Sequence, residues 1–116
     1  MKTSRTAWKR SRRAGLAVVV LAVGLLAGSP APAAGPATVG IKEFKFTPPM
    51  LTVPVGTTVT WTNRDEEPHT ITSATGTFGS TGLSHEETFT QKFMRPGTYA
   101  YFCALHPHMK GTVIVR

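Results

Sequence analysis

The strongest chemical signal in this chain of 116 residues is a short run that holds a thiol, an imidazole and a thioether. Cys103, the only cysteine, is followed by His106 and Met109, so the three side chains stand at positions i, i+3 and i+6. A fourth donor, His69, begins a strand-like segment upstream. One thiolate, two imidazoles and a weak thioether are the ligand set of a blue-copper electron-transfer site. The residue types therefore predict that His69, Cys103, His106 and Met109 bind one copper ion.

Alternatives exist for both the second imidazole and the metal. His108 lies in the same loop, but it is adjacent to Met109, and neighbours in an extended chain point to opposite sides. The spacing therefore favours His106. We expect His108 to be a solvated loop residue, and His85 to be one in the polar turn 84–86. Zinc fits less well, because zinc sites favour further thiolates, imidazoles or carboxylates over a thioether.

The first 33 residues have the pattern of a cleaved export signal. A basic head precedes an apolar run over residues 16–27, and an Ala-Pro-Ala pattern predicts cleavage after Ala33. This leaves a single domain over residues 34–116. The apolar run is shorter than the roughly 20 residues that span a bilayer, so we expect no permanent membrane anchor. A pair of arginines before the run leaves open whether export is by the general or the twin-arginine route.

Charge and cysteine count narrow the function of the mature domain. The chain has a formal charge of +7, but residues 34–116 hold seven Lys/Arg against six Asp/Glu, a net of +1. A basic surface for nucleic acid is therefore not supported. A mature chain of about 83 residues is small but can fold alone. A lone thiol outside the cytoplasm must be buried, cross-linked between chains, reactive or bound to metal.

Short β-type runs alternate with turn signals about every 8–12 residues, which is typical of a sandwich or barrel. After a Gly/Pro/Ala linker at residues 34–38, the predicted strands are the runs 39–46, 51–53, 57–63, 69–73, 87–93, 98–103 and 111–115. No segment has a convincing helical period. We therefore expect an all-β Greek-key sandwich of seven to eight strands.

Two further groups of side chains are open to interpretation. The acidic run at residues 65–67 is either a docking patch near the copper end or a solvated turn. The aromatic residues are expected to be core and strand-face residues rather than an electron path. They are Phe44, Phe46, Trp61, Phe89, Phe93, Tyr99 and Tyr101.

Nearly the whole mature chain resembles a small cupredoxin of the amicyanin and plastocyanin group. The resemblance lies in Val59-Thr60-Trp61-Thr62-Asn63, Glu67-Pro68-His69, Pro96-Gly97-Thr98-Tyr99 and Tyr101-Phe102-Cys103. The short Cys-x-x-His-x-x-Met loop has amicyanin-like spacing, whereas plastocyanin and azurin have longer ligand loops. The resemblance implies a cupredoxin-like sandwich that binds one copper ion per chain. His69, Cys103 and His106 would be the equatorial ligands and Met109 the axial one.

The resemblance also implies a function, namely one-electron transfer between extracytoplasmic redox partners, with copper cycling between Cu(I) and Cu(II). No substrate is transformed, so we do not expect an enzyme. Transient partners such as a dehydrogenase, a cytochrome or an oxidase are implied, and the protein is expected to be a monomer in the periplasm or another extracytoplasmic space. The chain departs from the family at Thr70, where an asparagine usually bridges the two ligand loops. One hydroxyl can replace that amide only in part.

Three other functions remain open from the sequence. A periplasmic copper-binding or delivery protein would use the same ligands, although methionine- or histidine-rich tracts typical of such carriers are absent. A cupredoxin-shaped part of a copper enzyme would need further copper domains, for which about 83 residues leave no room. An adhesive β-sandwich without metal is the remaining alternative.

Overall fold

The computed structural model describes Gly15, residues 17–20, Gly24 and residues 36–116. The predicted signal peptide, residues 1–33, therefore lies almost wholly outside the described residues. In the described ranges every regular element is a strand. These ranges therefore contain no helix with enough length and apolar character to cross a membrane. The strands are β1 (Pro36–Lys42), β2 (Lys45–Thr47), β3 (Met50–Val53), β4 (Thr57–Asn63), β5 (Thr72–Ser73), β6 (Thr88–Phe93), β7 (Gly97–Phe102) and β8 (Lys110–Val115).

The strands form two four-stranded sheets with the orders β2-β1-β4-β6 and β3-β8-β7-β5. Both sheets are mixed, because β1 runs parallel to β4 and β3 runs parallel to β8, while the other pairs are antiparallel. Parallel neighbours cannot be joined by a tight hairpin, so the chain has to cross between the sheets. The predicted all-β sandwich is confirmed.

The core lies between the sheets and is built from alternate residues of each strand. In β4 every second residue from Thr57 to Asn63 is buried, and Val59 and Trp61 share the inward face as their spacing predicts. The Trp61 ring packs against an aromatic cluster from both sheets. Its members are Phe78, Phe89, Phe93 and Tyr101, with ring centroids 5.4–6.4 Å from that of Trp61. Apart from Phe44, the aromatic residues predicted to be internal lie in this core or against it.

The run 39–46, predicted to be one strand, is a hairpin instead. β1 ends at Lys42 and β2 pairs back antiparallel from Lys45, so Glu43 and Phe44 form the turn. Both have positive φ values, 52° and 57°, a conformation that turns of this type usually give to glycine or asparagine. The usual sequence signal for the turn is therefore missing. The predicted end of the linker, residue 38, is also wrong, because β1 begins at Pro36. The first residue of a strand is a position that tolerates proline.

The strand predicted at residues 69–73 is only partly formed. β5 comprises Thr72 and Ser73, while His69 makes an isolated bridge with Leu83. Between them, the Thr70 N–H donates to the Cys103 sulfur and the Ile71 N–H donates to the Ser80 hydroxyl. These amide groups bond to side chains, so they are not available for a continuous ladder.

Gly111 is required by close packing against the neighbouring strand. It pairs with Tyr101, and a Cβ atom at this position would lie 2.3 Å from the Tyr101 ring. We therefore expect Gly111→Ala to lower the free energy of unfolding by about 1–3 kcal/mol or more, because the ring has to move within a packed core. Urea unfolding measures this change. Gly40→Ala is the matched control, since its Cβ would meet nothing closer than the Thr47 carbonyl at 3.9 Å. Equal losses in both variants would contradict the prediction.

Tyr101 places a hydroxyl in the core where, among the described residues, it has no hydrogen-bond partner. Burial raises the pKa of Tyr101 from 10.0 to about 12. Between these values the unfolded chain releases the proton and the folded chain keeps it. Stability therefore falls as pH rises through this window, by roughly 1–3 kcal/mol.

We expect Tyr101→Phe to be as stable as the parent protein at pH 7, or more stable, because the unpaired buried hydroxyl is removed. The variant should also lose the parent's excess decline above pH 10. Urea unfolding from pH 8 to pH 12 tests both. In the control Tyr99→Phe, the lost bond from the Tyr99 hydroxyl to the Arg95 carbonyl, 2.7 Å, should lower stability by about 0.5–1.5 kcal/mol. A large loss in Tyr101→Phe at pH 7 would show that its hydroxyl is paired.

Candidate metal centre

Two loops at the same end of the sandwich carry the predicted donors. His69 lies between β4 and β5, whereas Cys103, His106 and Met109 lie between β7 and β8. β5, β7 and β8 are successive neighbours in one sheet, and Phe102 at the end of β7 pairs with both Thr72 and Lys110. The sheet register therefore brings the segment that follows His69 beside the start of the Cys103 loop.

Backbone hydrogen bonds fold the second loop into two consecutive tight turns. The His106 N–H donates to the Cys103 carbonyl at 3.2 Å, and the Met109 N–H donates to the His106 carbonyl at 2.9 Å. The Cys103 N–H donates back to the Met109 carbonyl at 3.0 Å and closes the loop. Each turn comprises four residues, and the two turns share His106. The first turn brings His106 back toward Cys103, and the second turn closes the loop at the Met109 backbone.

Three of the four predicted donor residues converge on one point. His69 Nδ1 lies 3.2 Å from His106 Nδ1, and Cys103 Sγ lies 3.7 Å and 3.6 Å from these two nitrogens. An ion about 2.0–2.3 Å from two nitrogens and a sulfur, in a roughly trigonal arrangement, separates the donors by about 3.1–3.8 Å. The triangle therefore has the size that one transition-metal ion requires, and its N₂S donor set suits copper.

A buried carboxylate fixes the orientation of His69. The fully buried imidazole donates its Nε2–H to Asp65 Oδ2 at 2.9 Å. Since an ionised carboxylate only accepts hydrogen bonds, the proton is on Nε2 and the lone pair of Nδ1 faces the other two donors. Burial by itself raises the pKa of Asp65, but hydrogen bonds from the Phe44 and Glu43 N–H groups and from His69 outweigh it, so this pKa lies below its ordinary 3.8. Asp65 is thus ionised at neutral pH.

Thr70 joins the two loops. Its N–H donates to Cys103 Sγ at 3.3 Å, and its hydroxyl accepts the Ala104 N–H at 2.7 Å. The same hydroxyl bonds to that of Thr72 at 2.9 Å. The sequence predicted that one hydroxyl could replace the usual asparagine only in part. The structure places that hydroxyl as a direct bridge between the ligand loops, with the N–H bond to sulfur supplied by the backbone.

The remaining residues that the sequence singled out differ in burial. Met109 is buried at the end of the second turn of the loop, and its assignment as the axial ligand stays a prediction. His106 is half-buried, so its ring is the donor that reaches toward solvent. His108 and His85 are exposed, as expected. Phe44 was predicted to be a core or strand-face residue, but it lies in the β1–β2 turn and is 37% exposed.

Phe44 covers the two imidazoles. Its ring lies edge-on to His69 and His106, with centroid distances of 5.1 Å and 4.9 Å and interplanar angles of 87° and 85°. The unforeseen hairpin turn explains this position, because the turn ends β1 and aims the residue at the metal end of the sandwich. The contact places an apolar ring between the histidines and solvent.

Sequence reasoning missed two residues that hold the His69 loop. Asn63 is fully buried, and its amide nitrogen donates to the Glu67 and Leu83 carbonyls, each at 2.8 Å, while its Oδ1 accepts the Asp65 N–H. Asp65 was interpreted as part of a docking patch or a solvated turn, and both are wrong for this residue, which is 7% exposed. Glu66 and Glu67 are exposed, so they fit either interpretation. The available signal was the Asn-x-Asp pattern directly after β4, which favours a side chain-capped turn.

The comparisons with known proteins agree with the observed fold. The model of the cupredoxin-like domain family matches residues 15–115. Amicyanin-alpha of Methylorubrum extorquens is 36% identical over 86% of this chain and 88% of its own length. Amicyanin of Paracoccus denitrificans is 38% identical over 71% of this chain and 66% of its own. A solved structure of an oxidised amicyanin mutant has a TM-score of 0.68 at 36% identity, covering 71% of this chain and 83% of that one. The chain therefore belongs to the cupredoxin-like family.

Proposed function

We propose that this protein is an electron carrier with one mononuclear blue-copper site, which shuttles single electrons between redox partners outside the cytoplasm. His69, Cys103 and His106 would hold the copper ion, and Met109 would be its weaker fourth ligand. The observation that carries this proposal is the triangle of Nδ1, Nδ1 and Sγ atoms, with sides of 3.2–3.7 Å. Relatives named amicyanin and plastocyanin support the choice of copper.

The donor residues suit both oxidation states of the metal. A bound copper ion supplies one-electron chemistry by alternating between Cu(I) and Cu(II). A thiolate and two imidazoles are acceptable ligands for both states, so the protein does not need to exchange donors when the electron moves. The N–H bond from Thr70 to the Cys103 sulfur withdraws electron density from the thiolate and so adjusts the potential.

The surroundings of the donors favour fast electron transfer over metal delivery. His69 and Cys103 are fully buried, and hydrogen bonds to Asp65 and Thr70 hold them. Such a cage rearranges little when its charge changes. A delivery protein must let the ligands of its partner reach the metal, whereas here His106 is the one nitrogen donor that reaches the surface. His106 is also the exit for the electron.

Partners dock transiently around His106 in this proposal. Leu105 is 54% exposed beside it, and Pro68 and Pro107 are exposed in the two ligand loops. An apolar area with few charges suits brief encounters between redox proteins. The export signal predicted at residues 1–33 agrees with partners in the periplasm or another extracytoplasmic space.

Titration with Cu(II) tests the proposed centre. The mature protein should bind one equivalent and develop the intense blue absorption of a thiolate-to-copper transition, with the narrow copper hyperfine splitting of such sites in EPR. Cys103→Ser should abolish the blue band, because an alcohol cannot replace the thiolate. His108→Ala should keep it, since His108 is outside the donor set, whereas His106→Ala should not. A colourless or pale complex of the parent protein would contradict electron transfer through this site.

The axial role of Met109 has its own test. Met109→Leu should keep the blue band, because the thioether bond is weak, and should raise the reduction potential by on the order of 60 mV, a tenfold shift toward Cu(I). The reason is that removal of an axial donor leaves Cu(II) less well stabilised. Cyclic voltammetry measures the potential. Met94→Leu is the control, because Met94 is an exposed methionine between β6 and β7, outside both ligand loops. Complete loss of copper from Met109→Leu would contradict a weak axial role.

A further inference from the structure

Asp65 carries a charged group that is buried at the metal end of the sandwich. In the described range 36–116 it is the one buried side chain among the aspartates, glutamates, lysines and arginines. Its carboxylate accepts three hydrogen bonds, from the Glu43 N–H at 2.7 Å, the Phe44 N–H at 2.9 Å and His69 Nε2–H at 2.9 Å. A buried charge is costly unless it is paired and hydrogen-bonded, so the position demands an explanation.

One part of the explanation is the state of the His69 ring. A neutral imidazole has two tautomers, and only the one protonated at Nε2 leaves Nδ1 free to bind a metal. The bond to Asp65 selects that tautomer and fixes the plane of the ring. A carboxylate partner also makes the opposite ring nitrogen a stronger donor, which favours Cu(II) over Cu(I).

The other part is the turn that carries Phe44. Glu43 and Phe44 have φ values of 52° and 57°, a region that residues other than glycine seldom adopt. Such a conformation persists where the surroundings hold it. Here the two successive N–H groups both point at the Asp65 carboxylate, one on each oxygen. This β1–β2 turn places the Phe44 ring edge-on against both imidazoles.

We propose that Asp65 is a positioning residue that sets the tautomer of His69 and, with the same carboxylate, holds Phe44 as a cover over the two histidines. The Asp65 side chain thereby orients the His69 ring and also holds the Phe44 ring, which keeps water away from the two histidines. The proposal rests on the proposed function in taking copper as the ion. Its first measurements use the metal-free protein, so they do not depend on copper binding.

The experiment compares Asp65→Asn with the control Glu66→Gln. Both variants lose one negative charge in the same turn, but Glu66 is exposed and does not touch the centre. The asparagine keeps the shape and loses one of the two acceptor atoms. In metal-free Asp65→Asn we expect the His69 ring to populate its second tautomer in ¹⁵N NMR, or the Glu43 or Phe44 amide hydrogens to exchange at least tenfold faster. Glu66→Gln should match the parent protein in each measurement.

The copper-loaded proteins supply the second pair of measurements. Loss of a hydrogen-bond partner of a ligating histidine typically lowers metal affinity about 10–100-fold. We expect Cu(II) affinity of Asp65→Asn to fall by at least tenfold relative to Glu66→Gln, and Cu(I) affinity to fall less. A tenfold difference between the two states corresponds to a rise in potential of about 59 mV for one electron. Asp65→Ala, which removes both acceptors, should give a larger effect; if it does not fold, Asp65→Asn decides.

Each outcome decides the proposal. Altered tautomer or amide exchange in Asp65→Asn, together with a higher potential than in Glu66→Gln, supports it. Equal shifts in the two variants would overturn it, because the effect would be long-range charge alone. An unchanged tautomer and unchanged exchange would also overturn it, even if Asp65→Asn unfolds more easily, since Asp65 would then only stabilise the fold. If the parent protein binds no copper, the proposed function fails, while the metal-free measurements still decide the role of Asp65.

Discussion

The arrangement of this protein depends on the connection between two loops that are far apart in the chain. Thr70 bonds through its N–H to the Cys103 sulfur and through its hydroxyl to the Ala104 N–H. Both bonds are buried or partly buried, so water competes little for the polar groups. With the register of β5 against β7, they fix the distance between His69 and the Cys103 loop. A thiolate and two imidazoles gathered in a buried space would otherwise be costly, and these bonds hold them at the spacing of a metal ion.

A second set of polar contacts surrounds the first donor. Asn63 and Asp65 come from the end of β4 and from the turn that follows it, and together they satisfy the backbone of the His69 loop, the β1–β2 turn and the His69 ring. Buried polar networks of this kind specify one arrangement, because any displaced member leaves an unpaired group in an apolar environment. The metal end of the sandwich is thus a rigid polar structure on top of an aromatic core around Trp61.

The asymmetry of the site follows from the same contacts. His69 and Cys103 are fully buried beside Asp65 and Thr70, while His106, which the Phe44 ring contacts on one side, is only half-buried on its short loop. In the proposed function, one imidazole near the surface gives the electron a short route to and from the metal, and the cage does not have to open. This combination of a closed interior and one exposed ring edge is the physical basis for preferring electron transfer to metal exchange.

Strands with clear alternation of buried and exposed residues, such as β4, were predictable from the sequence. The candidate donor residues were predictable too, because a thiolate, an imidazole and a thioether each belong to one residue type. The spacing of Cys103, His106 and Met109 could be interpreted because it lies within one short loop. The β1–β2 turn, the burial of Asp65 and the bridging hydroxyl of Thr70 were decided by the tertiary structure alone. The bonding partners lie 21 to 34 residues away along the chain. Glu43 and Phe44 have left-handed backbone conformations, and their N–H groups bind a carboxylate that no local sequence pattern supplies.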